Sequence, residues 1–318
     1  MKKILGFLIA IIVISCNNND KIEKEISQIH VEVVVDRFDQ KFGKAGLDDL
    51  PKLKSEYPNL FPEQFHDSVW VARIKDTIQQ ELSFEVNKAF PNFNEQEEEL
   101  HALFQHVKYY FPEFKTPKII TVTSDVDYKN KIIYADSLVL IGLDNYLGDE
   151  HHFYEGINKY LRKNFNKDQI VVNLTSEIVK PIIGHNRERT FLSHIITYGK
   201  ELYLKDKLIP FKTDPQKIGY TDQEYEWAVA NESEVWRYFV EKDLLFSTDT
   251  KLLERFVLPS PFSKFYLELD NESPGRLGQY IGWQIVRAYM DNNNVSLQQM
   301  LKTPAEEIFK KSRFKPKK

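Results

Sequence analysis

The sequence predicts an α+β fold, predominantly helical, with one small antiparallel or mixed β-sheet. Three observations carry this. A single block of short β-rich segments lies between residues 118 and 143. Elsewhere apolar residues recur mostly at the three-and-four spacing of helices. No strand–helix–strand unit repeats, as a parallel α/β sheet would require. With 318 residues, 42% of them hydrophobic, the chain is long enough to bury a sizeable core.

The first 15 residues read as a secretory signal. Lys2 and Lys3 give a positive start, and Ile4 to Ile14 carry no charge. That apolar run is too short to cross a bilayer as a helix, which takes about 20 residues. Ser15 and the only cysteine, Cys16, close the segment. A cysteine directly after Val13-Ile14-Ser15 resembles the lipobox of bacterial lipoproteins, which implies cleavage before Cys16 and acylation of its thiol and new amine. Each buried CH₂ contributes about 0.8 kcal/mol, so two or more chains would hold the protein stably on a membrane. With Cys16 modified, no disulfide is available and the core alone must hold the fold. Residues 16–28, polar and without aromatics, read as a lipidated N-terminus and flexible tether. Residues 29–318 read as a single globular α+β domain, with no low-complexity linker and no repeat.

Forty-three basic and 47 acidic residues give a net charge of −4, and removal of Lys2 and Lys3 takes it further negative. No basic field exists to displace phosphate counterions, which argues against nucleic acid as a partner.

Val31, Val33 and Val35 alternate with Glu32 and Val34 as a first strand. Residues 48–110 read as helices broken by prolines, the clearest from Glu95 to Tyr110. Lys118–Thr123, Lys131–Ala135 and Ser137–Leu143 predict a meander or hairpin joined with the strand near residue 33. Helices are expected near 173–182, 188–205, 222–241, 249–257, 276–292 and 303–311. Thr221 and Glu224 fit a capping box, and Thr303-Pro304 places a cap before a first-turn proline. The helix at 188–205 carries two apolar stripes, one of Phe191, Ile195 and Leu202 and one of Leu192, Ile196, Gly199 and Tyr203. So wide an apolar face suits a central core helix. Gly278 and Gly282 share a helix face and read as a close-packing contact.

Catalytic motifs are sparse. No two of the eight histidines sit at i, i+4, so no H-E-x-x-H exists. His151-His152 would need distant help to hold a metal, and scattered surface or capping histidines are the better reading. G-x-S-x-G, Walker and G-x-G-x-x-G motifs are absent. Glu232 and Glu234 beside Trp227 and Trp236 read as a solvated edge plus one internal ion pair, with paired catalytic carboxylates as the rival. Arg276, near a helix start, could hold an anion.

Longer segments carry a resemblance. GLDNYLG, KYLRKNF, HIITYGKELYL, IGYTDQEYEWAVANESEVWRYFVEKDLLFSTD and PFSKFYLELDNESPGRLGQYIGWQIVRAYM, with VVVDRFDQKF near the start, resemble the gliding motility lipoprotein family GldB of the Bacteroidetes. The likeness is collinear over nearly all of the mature chain. It implies a cell-envelope lipoprotein of the gliding machinery, linked to type IX secretion, with no established enzyme activity. A fainter likeness is to a group of zinc-dependent peptidases, in which Ser176-Glu177-Ile178-Val179-Lys180 would take the H-E-x-x-H place and Tyr198-Gly199 a Glu-Gly place. On that alignment Glu177, the would-be base, remains, while Ser176, Lys180 and Tyr198 replace the three ligands. A protonated lysine repels zinc. The frame would then be a degenerate zinc-peptidase that has lost its metal; the alternative is that the likeness is accidental and the helix merely structural.

The reading is therefore a non-catalytic lipoprotein, anchored to the inner or outer membrane and facing the periplasm, that binds other envelope proteins and takes no cofactor and no metal. Its candidate cleft is Ser176, Glu177, Lys180, Tyr198, Glu232, Arg276 and Tyr280. The rival is an envelope hydrolase, peptide- or glycan-directed, using Glu177 and Glu232 with Tyr280 as electrophilic helper. A small-ligand carrier is a third class, with no support beyond aromatic content.

Overall fold

The computed structural model describes residues 18–186, 188–268 and 270–317. The signal segment and Cys16 lie outside the described residues. The N-terminal part holds α1 (Asn18–Ser27), a two-residue β1 (Val35–Asp36), α2 (Phe38–Gly43), α3 (Leu50–Glu56), α4 (Asp67–Lys75), α5 (Thr77–Ala89) and α6 (Asn94–Tyr110). The strand block follows as β2 (Lys118–Val122), β3 (Ile132–Ala135) and β4 (Leu138–Gly142). The helical half comprises α7 (Lys159–Arg162), α8 (Gln169–Ile183), α9 (Phe191–Leu208), α10 (Asp214–Ile218), α11 (Asp222–Ala230), α12 (Glu232–Glu241), α13 (Lys251–Phe256), α14 (Leu277–Asn292), α15 (Leu297–Lys302) and α16 (Ala305–Ser312). The fold is α+β, predominantly helical with a small mixed sheet.

The sheet order is β1-β2-β4-β3. β3 and β4 form the expected hairpin, with Ile132 opposite Ile141. A meander is corrected: β4 inserts between β3 and β2 and pairs with β2 in parallel, Ile119 opposite Val139. Burial explains the order. Val139 and Ile141 on β4 are fully buried, whereas Ile133 on β3 is exposed, so β3 takes the edge.

Three further expectations are corrected. The tether over 16–28 is in part helix: α1 packs along α6, with Ile26 buried and Glu23 Oε2 3.2 Å from His106 Nε2. An apolar position hidden among charged ones gave no helical stripe in so short a segment. The helix at 222–241 breaks at Asn231, whose side-chain amide donates to the Trp227 carbonyl (2.9 Å) and competes with the helical ladder. Thr303 does not cap α16; its hydroxyl donates back to the Gln299 carbonyl at 2.8 Å, and Pro304 stands at the cap. The capping box at Thr221 forms as expected, Glu224 N–H donating to Thr221 Oγ1 (3.2 Å) and Thr221 N–H to Glu224 Oε2 (2.8 Å).

The main hydrophobic cluster runs from Val31 to Ile308; a smaller one gathers Phe38, Leu50, Leu53, Tyr57 and Phe61 against Ile120. At the centre of the main cluster, α9 crosses α14 with backbones in contact. A Cβ on Gly282 would lie 1.8 Å from the Ile195 carbonyl oxygen, and one on Gly199 would lie 2.3 Å from the Gly282 carbonyl oxygen. Gly278 faces Ile195 and Phe256 one turn earlier. The close packing read from Gly278 and Gly282 is what the structure has.

Gly282→Ala should therefore destabilise the protein by about 3 kcal/mol or more, because rigid backbone rather than a side chain must move. Urea unfolding measures this. Gly46→Ala, where the nearest atom is an Asp49 carboxylate oxygen at 3.7 Å, is the near-neutral control. Equal effects of the two substitutions would refute the packing account.

Candidate functional site: a basic cleft beside the central helices

Polar residues on α8 recur at Gln169, Asn173, Ser176 and Lys180, spacings that form one stripe on a helix. On α9, Tyr198, Glu201 and Lys205 form another. The two stripes meet in a cleft of about 380 Å³, into which the start of β3 brings Lys131 and the start of α14 brings Arg276. The segment at 160–164 and the turn Gly219-Tyr220 complete the walls.

Charge in this cleft is one-sided. Lys129, Lys131, Lys163, Lys180, Lys205, Lys217 and Arg276 line it against two carboxylates, Glu177 and Glu201. Most of these cations have partners. Lys163 binds Glu224, Lys180 binds Glu177, and Lys205 stands 3.4 Å from Glu201 and donates to the Lys217 carbonyl at 3.2 Å. Lys217 sits 3.0 Å from Asp206. Burial holds the Lys205 and Lys163 ammonium groups below the usual lysine range, with Glu201 and Glu224 opposing it.

Lys129 is exposed and forms no ion pair among the described residues, and two cations set within the cleft are different. Lys131 has no carboxylate and no hydrogen-bond acceptor among the described residues; its Nζ lies 3.9 Å from the Phe165 ring centre and 6.0 Å from that of Tyr146. Burial alone pushes its ammonium down to about 7. Arg276 likewise meets no carboxylate among the described residues. It donates one N–H to the Gly219 carbonyl (2.8 Å) and stacks over Tyr220 at 5.4 Å. Its backbone is left-handed, φ 62°, a conformation uncommon for any residue but glycine and seen at sites where a side chain must be aimed. Neighbouring Gly275 fixes the turn: a Cβ there would lie 2.2 Å from the Ser260 carbonyl oxygen.

The family model of the gliding motility protein GldB matches residues 19–316. The chain belongs to that family. No curated protein and no solved structure matches it.

In this GldB-family protein, five of the seven residues expected in the cleft converge: Ser176, Glu177, Lys180, Tyr198 and Arg276. Burial raises the Tyr198 hydroxyl's pKa, so it is a neutral donor at the wall. α8 packs against α9, so the polar stripes of the two helices face one another across the cleft. Ser176 Oγ donates to Glu201 at 2.8 Å, and Lys180 holds Glu177. Among the described residues no group of three or more His, Cys, Asp or Glu is placed to hold a metal. Glu177 is part exposed at the mouth, and its carboxylate is engaged by an ammonium.

Glu232 and Tyr280 do not line the cleft, a correction to the expected set. They form a separate buried pair: Tyr280 OH donates to Glu232 Oε2 at 2.7 Å, and the Lys317 backbone N–H donates to Glu232 Oε1 at 2.9 Å. Helical phase explains the error. Arg276 precedes α14 and its positive φ takes it out of the four-residue register that would have aligned it with Tyr280. Glu232 thus anchors the C-terminal segment. Burial, then the Glu232 carboxylate, pushes the Tyr280 hydroxyl far above its usual range.

Lys131, Lys163 and Lys205 were missed. Lys205 left a signal, since it lies three residues after Leu202 on a buried helix face. Lys131 opens an apolar strand and reads as an edge charge, so nothing local marks it.

Two predictions follow from these groups. Below about pH 7 Lys131 is charged in both the folded and unfolded states, and only the folded state bears the desolvation cost. Between about pH 7 and the ordinary lysine range the folded state deprotonates first, so the cost fades. Lys131→Met should raise stability by about 2–4 kcal/mol at pH 6, with the gain shrinking as pH rises towards 10. Unfolding measured across that range checks it; a gain that grows with pH would refute it. Tyr280→Phe should cost about 1–3 kcal/mol by leaving a buried carboxylate short of a donor. It should leave the cleft's ligand affinity unchanged.

Proposed function

We propose that this gliding motility protein is a lipid-anchored, non-catalytic component of the cell envelope that binds other proteins of the gliding machinery, in association with type IX secretion. The match of the GldB family model to residues 19–316 carries the reading. Two features of the chain support it. The segment before the matched region has the arrangement of a lipoprotein signal ending at Cys16. Among the described residues no helix is long and apolar enough to cross a membrane, so the acyl chains at Cys16 would supply the attachment.

The non-catalytic part rests on the state of the cleft carboxylates. Glu177 is bound by Lys180, and Glu201 by Lys205 and Ser176. Each carboxylate takes its partners on Oε1, and that oxygen could accept a proton only by giving up an ion pair. Tethering at the membrane raises the effective concentration of envelope partners, so modest contacts around the cleft mouth suffice.

In native cells, Cys16→Ser should release the protein to the soluble fraction and abolish gliding. A photo-cross-linker placed at Lys180, at the cleft mouth, should capture envelope proteins in intact cells. Retention of membrane attachment and motility in Cys16→Ser would overturn the anchor. Hydrolysis of a peptide or glycan that Glu177→Gln abolishes would overturn the non-catalytic assignment.

A further inference from the structure

We propose that the cleft between α8, α9 and the start of α14 is a binding site for a phosphate monoester, with Lys131 and Arg276 as its principal ligands. The inference goes beyond the anchored-component reading. It shares with that reading only the premise that the cleft binds rather than reacts.

The first argument is a cost without a visible return. A lysine ammonium away from water is expensive unless a counter-charge meets it. Lys131 has aromatic rings on one side and the cleft on the other, and no acceptor among the described residues. A dianion in the cleft supplies the missing partner. Every other lysine deep in this cleft already has a carboxylate, which makes Lys131 the exception rather than the rule.

The second argument is unused donor capacity. Arg276 presents five N–H donors and commits one to Gly219. A guanidinium fork with free donors, aimed by a left-handed backbone, matches two oxygens of a phosphoryl or carboxylate group. Lys163 and Lys205, each with three donors, flank it from two further elements.

Geometry favours phosphate over carboxylate. The cations arrive from four places: the start of β3, the segment after α7, the middle of α9 and the start of α14. A tetrahedral group with three free oxygens and a charge of about −1.5 to −2 can take donors from all sides, whereas a planar carboxylate takes one fork. The two cleft carboxylates do not oppose it, since Glu177 is bound by Lys180 and Glu201 by Lys205. The volume, about 380 Å³, exceeds a bare phosphate and leaves room for an organic part beside Tyr160, Tyr198 and Tyr220. That part could be a soluble ester or a phosphatidic acid headgroup; both present the same monoester.

The test uses the full chain purified in detergent. Titration calorimetry with glycerol phosphate should give saturable binding, with acetate at least tenfold weaker. Lys131→Met and Arg276→Gln should each weaken binding at least tenfold. Loss of binding in Lys131→Met is informative because that variant is expected to be the more stable fold. Flotation of Cys16→Ser protein with phosphatidic acid vesicles but not phosphatidylcholine vesicles would assign the ester to a lipid; flotation with neither, alongside glycerol phosphate binding, would assign it to a soluble molecule. Undiminished binding by Lys131→Met, acetate binding as tight as the ester, or no saturation below about 10 mM would overturn the site. Release of inorganic phosphate from the ester would uphold the site and instead sink the non-catalytic reading.

Discussion

At Gly199 and Gly282 the backbones of α9 and α14 touch with no side chain between them, and the rest of the structure is arranged around that contact. It fixes the spacing of the two most buried helices. α8 then packs on another face of α9, and the start of α14 is delivered to the mouth of the groove between them. Further along α14, Arg287 reaches two carboxylates at once. It holds Asp206 of α9 through two hydrogen bonds of 2.7 and 2.8 Å, and Asp214 of α10 through two of 2.8 and 2.9 Å. Trp283 Nε1 donates to the same Asp206 at 2.9 Å. A steric fit at one end of the crossing and a charged clamp at the other leave little freedom to slide. The cleft inherits that rigidity.

The N-terminal part has its own latch. Asp36, at the end of β1, accepts from Tyr57 OH at 2.9 Å and from Lys41 at 2.7 Å, while Arg37 pairs with Asp39 at 2.8 Å and reaches the Phe90 carbonyl at 3.1 Å. These bonds tie a two-residue strand, the helices after it and the end of α5 to the sheet. The recurring acidic and basic residues of this stretch are structural. They lie away from the cleft and give it a frame rather than chemistry.

Within the cleft the balance runs the other way. Among the described residues Lys131 and Arg276 are held in the cleft without carboxylates, in a protein whose net charge is negative. Groups kept at a cost to stability mark places where a fold is shaped for something other than itself. A left-handed arginine next to a glycine wedged on Ser260 belongs to the same pattern. The carboxylates of the cleft are engaged, so what it offers a ligand is donors and positive charge.

Local pattern sufficed for much of this. Helical spacing located most of the helices, β-branched runs located three strands, and the glycines at 278 and 282 announced a close crossing, because each of these is written in neighbouring residues. The sequence by itself determined the α+β class, the capping box at Thr221 and the likeness to the GldB family. Tertiary structure alone decided the order of the strands, since pairing β2 with β4 depends on which strand the helices bury. It alone separated Glu232 and Tyr280 from the cleft, because one residue with positive φ shifts the helical register of everything before it. And it alone brought Lys131 into the same cleft as Arg276, 145 positions apart in the chain, since no rule of local spacing connects a strand edge to the start of a distant helix.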